Sequence, residues 1–322
     1  MNLLTTIALA AGMSVASAPP APANEKLIQA PGPAGLLKGT MLAPAGAGRA
    51  PVVLVIPGSG PTDRDGNNPL GVKASTYRLL AEGLAEQGVA TVRIDKRGMF
   101  ASAGAVADAN AVTIADYVAD VRSWTAVIRE QTGAPCVWLL GHSEGGLVAL
   151  AAREAPDVCG LVLVAAPGRP LGETLRDQLR ANPANAPLLD QAMAAIDALE
   201  AGGRADTAAM HPALQPLFAP QVQNFLISLF SYDPAQLLAG YDKPVLILHG
   251  QRDIQVGEPD ARRLKAASPE AKLVFLADAN HVLKSVASDD RGANLATYAD
   301  PGLPLAPGVV DAIADFLTGE AD

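Results

Sequence analysis

Short, nearly continuous apolar runs alternate along this chain with longer stretches whose apolar positions recur at helical spacing. Residues 52-VVLVIPG-58 form one such run and predict a buried strand closed by Gly58. Residues 73–88 carry a helical pattern that stops at Gly88, and 89–98 read as strand and loop. A long amphipathic helix follows over 113–133, with Gly133 as its stop. Strand 137–140, helix 144–154 and strand 161–166 come next, and then strand 244–250, helix 258–267, strand 272–278 and a last helix over 308–318. Residues 27–44 predict an antiparallel strand pair that opens the sheet. Apolar strands separated by helices imply an α/β protein, its mostly parallel sheet covered by helices on both faces.

One segment breaks the alternation. Residues 168–241 show no strand pattern, only helical stretches over 171–182, 186–202 and 211–238, punctuated by Pro187, Pro212, Pro216 and Pro220. They predict a helical lid inserted between two core strands. The core then comprises 36–167 and 242–322.

The first residues differ from the rest. MNLLTTIALAAGMSVASAPPAPANEK has no acidic residue before Glu25, and Leu3 to Ala16 are mainly apolar and small. This predicts a secretory signal peptide over 1–23, cut after Ala23 because Pro19 disfavours cleavage after Ala18, and a Pro/Ala linker over 24–35. The expected location is periplasmic or secreted; an uncleaved N-terminus would leave the chain in the cytoplasm. The apolar run is too short for a permanent span, and no longer one follows, so no stable membrane anchor is expected.

Over the 322 residues, 49% are hydrophobic and 18% charged, enough apolar material for a large core. A formal charge of −9, without clustered Lys or Arg, argues against a nucleic-acid partner. The two cysteines precede consecutive predicted strands, Cys136 before 137–140 and Cys159 before 161–166. A disulfide across parallel neighbours is conceivable, and two buried free thiols are the simpler expectation. Two Cys and four scattered His have no zinc spacing.

The candidate chemistry lies in 137-VWLLGHSEGGLVALAA-152. Chance alone yields Gly-x-Ser-x-Gly in a chain of this length roughly one time in six, so its weight comes from context. A strand leads in and a helix leads out. A serine at the tip of so tight a turn takes strained dihedrals, and Gly141 and Gly145 remove the side chains that would clash there. Gly146 gives additional room. Ser143 is thus the candidate nucleophile. Its base and orienting acid belong on loops after later strands, where Asp253 and His281 stand in the order Ser, Asp, His. His142 should point into the structure. The oxyanion donors expected are the N–H groups of Glu144 and Ser59, with Gly60 second. Beside them, Asp63-Arg64-Asp65 either pair internally to hold the loop or let Arg64 touch a polar substrate. Phe218 and Phe225, with Met193, Leu214, Leu226 and Phe230, either line an acyl pocket or pack the lid onto the core.

These residues resemble the α/β-hydrolase superfamily. GHSEG, GQRDIQV, ANHVLK and the PGSGPTDRDGN loop carry the resemblance, which covers about 36–318. Within it the chain looks like bacterial esterase-like proteins close to the serine aminopeptidase and cinnamoyl-esterase type. PGSG stands where many relatives have HGG or HGF. The resemblance implies an α/β-hydrolase fold and an acyl-enzyme mechanism in which Ser143 attacks a carbonyl, His281 shuttles the proton and Asp253 orients His281. It implies no metal and no organic cofactor, and a small-molecule ester as partner. The leading expectation is a carboxylic-ester hydrolase for small or medium acyl groups. Behind it stand a peptidase or amidase using Glu144, Glu173, Asp177 or Asp190 to bind an ammonium, an acyltransferase, and a binding protein that keeps the fold without chemistry.

Overall fold

The computed structural model describes residues 25–44 and 50–319; the leader expected over 1–23 lies outside the described residues. The strands are β1 (Glu25–Pro31), β2 (Leu36–Leu42), β3 (Val52–Ile56), β4 (Ala90–Ile94), β5 (Val137–His142), β6 (Val158–Val164), β7 (Val245–Gly250) and β8 (Lys272–Leu276). Among the described residues they form one eight-stranded sheet in the order β1-β2-β4-β3-β5-β6-β7-β8. The β1–β2 and β2–β4 pairings are antiparallel, and all others are parallel.

The helices are α1 (Thr76–Glu86), α2 (Ile114–Thr132), α3 (Glu144–Ala151), α4 (Leu171–Arg180), α5 (Leu189–Glu200), α6 (Gln215–Phe218), α7 (Gln223–Phe230), α8 (Pro234–Leu238), α9 (Glu258–Ala267), α10 (Arg291–Ala296) and α11 (Val309–Thr318). Successive strand residues face opposite sides of the sheet. Val53, Val55, Leu140 and Val162 pack with Leu80 and Leu84 of α1 and Ile313 of α11. Leu54, Ile56, Leu139 and Leu161 pack on the other side with Val121 and Trp124 of α2 and Leu147 of α3. Both faces are covered, which is why the strands read as unbroken apolar runs. Thr113 and Asp116 form a capping box at the start of α2, and Gly133 ends it in the left-handed region at φ 69°.

Two expectations are corrected. The antiparallel pair expected over 27–44 is present as β1 and β2, and the linker placed at 24–35 gives way to it from Glu25, where the edge strand β1 begins. Ile28 and Ala30 turn into the core while Leu27 faces out, an alternation that holds it on one face only. Cys136 and Cys159 are neither fully buried nor free. They form a disulfide with a Cα–Cα distance of 5.2 Å, because parallel pairing of Val137 with Val158 brings the starts of β5 and β6 side by side.

Between β6 and β7 the chain leaves the sheet and runs through α4 to α8. Its root is fixed by the fully buried Asp260 of α9. One carboxylate oxygen accepts from the N–H groups of Gly168 (2.9 Å) and Arg169 (3.1 Å), and the other pairs with the Arg169 guanidinium at 2.8 Å. Farther along, Ser228 of α7 accepts a hydrogen bond from the Ile114 N–H at 3.1 Å. Ile196, Leu199 and Phe218 join the apolar cluster that also holds α2 and α3. No helix among the described residues is long and apolar enough to cross a membrane.

Candidate active site

The tight turn between β5 and α3 puts Ser143 at φ 55° and ψ −125°, outside the ordinary regions for a residue with a side chain. The flanking glycines are demanded by contact. A Cβ on Gly141 would lie 2.2 Å from the Gly145 carbonyl oxygen, and one on Gly145 would lie 2.2 Å from that of Ile56 in β3. A Cβ on Gly146 would meet the Ala166 methyl at 2.4 Å. The turn is thus wedged between the ends of β3 and β6. The Ser143 N–H is used by the Val164 carbonyl at 3.0 Å, whereas the Glu144 N–H opens the first turn of α3 without an intrahelical acceptor.

Asp253 and His281 leave the sheet after β7 and β8, whose ends touch. The Arg252 N–H donates to the Ala279 carbonyl at 3.0 Å, and a Cβ on Gly250 would be only 2.2 Å from that oxygen. Asp253 Oδ2 lies 2.7 Å from His281 Nδ1. Asp253 Oδ1 accepts from the N–H groups of Gln255 (2.7 Å) and Val256 (3.0 Å). The cap of α9 is Gly257, so Asp253 is not a capping residue. Burial alone would raise its carboxyl, but His281, His249 and the Val256 N–H outweigh that and hold it below the usual carboxylate range. With Nδ1 turned to Asp253, His281 Nε2 makes no hydrogen bond among the described residues. Asn280 supports its loop from below, donating to Asn294 (3.1 Å) and Thr297 (2.7 Å).

No hydrogen bond joins Ser143 to His281 among the described residues; a base at this site is often loose until substrate is bound. The residue beside the serine ties the two together. The His142 ring lies 4.9 Å, centroid to centroid, from that of His281, and its Nε2 is 2.8 Å from the His281 carbonyl oxygen. A carbonyl only accepts, so Nε2 carries the hydrogen and Nδ1 is the acceptor. The Tyr77 hydroxyl, 2.9 Å away, therefore donates to Nδ1, and its oxygen accepts from the Gly58 N–H at 3.0 Å. One chain of hydrogen bonds runs from the loop after β3 to the main chain of His281. Burial first, and then the neighbouring His281, push the His142 imidazole down to about 3, so it stays neutral at any ordinary pH.

The loop after β3 carries the remaining candidates. A Cβ on Gly58 would lie 3.2 Å from that of Ser143, so this loop passes directly alongside the serine. Ser59 and Gly60 are exposed, and the Ser59 N–H has no acceptor among the described residues. Gly60 sits at φ 66°, a conformation that suits glycine.

Arg64 is not free to meet a substrate, which corrects that expectation. Its side chain is 15% exposed, its Nε donates to Asp95 at 3.1 Å and its Nη1 to Thr40 at 3.0 Å. Nor do the loop charges pair with one another: Asp65 pairs with Arg93, and Asp63 accepts from the N–H groups of Asp65 and Asn67. Phe218 is likewise corrected; it is fully buried in the core cluster and lines no open surface. Phe225 is half-buried and packs edge-on against Tyr117, centroids 5.9 Å apart.

Sequence reasoning missed Tyr77 and Lys96. Tyr77 reads as an ordinary apolar position of α1. Lys96 lies in Asp95-Lys96-Arg97, which reads as a solvated charge run although all three are buried. The available signal was position: charges directly after a buried strand, at the edge where the candidate nucleophile emerges.

A model described as the alpha/beta hydrolase family matches residues 52–296. The chain belongs to this family. The esterase EstD of Thermotoga maritima is 29% identical over 256 residues, which cover 77% of this chain and 58% of EstD. The chain thus spans under two thirds of that relative's length. Among solved structures, the esterase Pf2001 of Pyrococcus furiosus aligns with a TM-score of 0.58 at 16% identity, covering 92% of this chain and 90% of that one. Est1E from Butyrivibrio proteoclasticus aligns with a TM-score of 0.56 at 16% identity, covering 91% and 98%. These likenesses establish a shared fold.

Proposed function

We propose that this family member is a serine hydrolase that cleaves carboxylic esters of small or medium acyl groups through an acyl-enzyme. The observation that carries the proposal is the pairing of a strained Ser143 with a buried Asp253–His281 hydrogen bond of 2.7 Å at the same sheet edge. Ser143 attacks the ester carbonyl, and His281 Nε2 takes the hydroxyl proton and returns it to the leaving alcohol. Asp253 keeps the imidazole in the tautomer that presents Nε2. The N–H groups of Ser59 and Glu144 receive the developing oxyanion. Water then repeats the sequence on the acyl-enzyme. The esterase name of EstD supports an ester over an amide substrate. A peptidase that binds an ammonium is less well supported. The Glu144 carboxylate is buried against Lys96, and Asp177 is engaged by Arg169 at 2.7 Å. The helical segment 168–241 is assigned the role of a lid, and residues 1–23 that of an export signal. The disulfide suits an oxidising compartment.

A fluorophosphonate probe with peptide mapping, run beside p-nitrophenyl esters and aminoacyl anilides, tests this. A single adduct on Ser143 with ester turnover is expected, and Ser143→Ala should lose both. Asp253→Asn should lower kcat by roughly 10⁴. Faster anilide turnover would move the activity to peptide bonds, and no adduct with no turnover would favour a binding role.

A further inference from the structure

The loop after β4 puts an ammonium group against the back of the oxyanion loop. Lys96 Nζ donates to the Gly58 carbonyl oxygen at 2.6 Å. That carbonyl belongs to the same peptide unit as the Ser59 N–H. No peptide bond among the described residues is cis, and in a trans unit C=O and N–H point in opposite directions. Holding the carbonyl from the interior therefore turns the Ser59 N–H away from Lys96; Ser59 is an exposed residue, and its N–H has no acceptor among the described residues. The preceding N–H, that of Gly58, is held separately by Tyr77 at 3.0 Å. Both polar groups of Gly58 are thus pinned beside Ser143.

The same ammonium also meets the side chain of the residue that carries the other donor. Lys96 Nζ lies 3.6 Å from Glu144 Oε1, the side chain of the residue whose own N–H opens α3. The two side chains are 4% and 2% exposed, and Glu144 Oε1 has no hydrogen-bond partner among the described residues. A pair buried this way is a poor device for stability, because desolvation offsets most of its attraction. It needs another reason to be there.

We propose, resting on the esterase assignment, that Lys96 is the positioning residue of the oxyanion hole. It fixes the direction of the Ser59 N–H through the Gly58 carbonyl and polarises that peptide unit towards the anion. A cation on the carbonyl draws electron density from the N–H, and the dry surroundings leave that effect unscreened. Lys96 touches neither substrate nor the reacting atoms. Its contribution appears only when the carbonyl oxygen acquires charge, so it lowers the barrier without tightening ground-state binding.

The test uses the full chain in four forms: wild type, Lys96→Met, Glu144→Gln and the double variant. Lys96→Met alone strands a buried carboxylate and can fail to fold. The double variant removes both charges at nearly constant volume and keeps the question open to measurement. Relative to Glu144→Gln, it should lose about 10- to 100-fold in kcat on p-nitrophenyl butyrate, less than the roughly 10²–10³-fold cost of deleting a donor outright. KM should stay within about twofold, and inhibition by an alkyl trifluoromethyl ketone, which forms a tetrahedral anion, should weaken by the same factor as kcat. If Lys96 only neutralises Glu144, the double variant will match Glu144→Gln in kcat and ketone affinity, and the inference falls. A rise in KM alone would also overturn it. The esterase assignment fails separately, by ester turnover that survives Ser143→Ala.

Discussion

His142 makes acid stability a direct readout of the hydrogen-bond chain behind the candidate active site. Its imidazole is held neutral at about 3, against about 6.5 in an unfolded chain. Well above pH 6.5 neither state binds the proton, and stability is at its full value. Between 6.5 and 3 the unfolded chain binds a proton that the folded one refuses, so stability falls as pH falls, by about 1.4 kcal/mol per unit. From pH 7 to pH 5 the loss from this one group is about 2 kcal/mol, since the unfolded imidazole is mostly neutral at the upper pH. His249, also pushed down by burial, adds to the slope of the wild type. The depressed carboxyl of Asp253 begins to lose its contribution only near and below its unfolded value of about 4, outside this window. Urea unfolding of wild type and His142→Gln at both pH values isolates the His142 share, because His249 is common to the two. The wild type should lose about 2 kcal/mol more than the variant over that interval. Parallel losses would refute the reasoning, since they would mean an imidazole that protonates freely in the folded protein. Nitrogen NMR of wild type should find the His142 hydrogen on Nε2; a hydrogen on Nδ1 would break the chain from Tyr77.

Three further outcomes follow from the packing. Replacing Cys136 and Cys159 by alanine opens a cross-link spanning 23 residues and should cost about 3 kcal/mol by the loop-entropy relation, read by urea unfolding under non-reducing conditions. Gly145→Ala drives a methyl to 2.2 Å from the main chain of β3 and should cost roughly 3 kcal/mol or more, with loss of probe labelling; a variant as stable as wild type would show that the turn is not wedged. Arg64→Met strands the buried Asp95 carboxylate and should cost about 3 kcal/mol while KM for small esters stays within about twofold, so a large rise in KM would return Arg64 to the substrate.

The apolar runs and helical periods of the chain determine its α/β class and the places of most elements, because a sheet buried on both faces needs unbroken apolar strands. The tight turn was equally legible: only glycine fits where Gly141 and Gly145 meet main-chain oxygens at 2.2 Å, and that need is written in the residues themselves. Asp253 and His281 could be singled out because strand order sends their loops to one edge. What the sequence could not decide depends on contacts across the fold. Arg64 reads as paired with its neighbours Asp63 and Asp65 or as a substrate contact until Asp95, 31 residues away, is folded against it. Phe218 reads as pocket or core alike, since both demand an apolar side chain. The antiparallel pair over 27–44 was legible, but the start of its first strand at Glu25 was not, because an edge strand with only one apolar face looks like the linker that leads into it. The two thiols became a disulfide through the register of β5 on β6, and Lys96 gained its place beneath Gly58 when three strand ends converged. Local pattern records what each residue needs from its near neighbours in sequence; which distant groups meet it is decided only when the sheet closes.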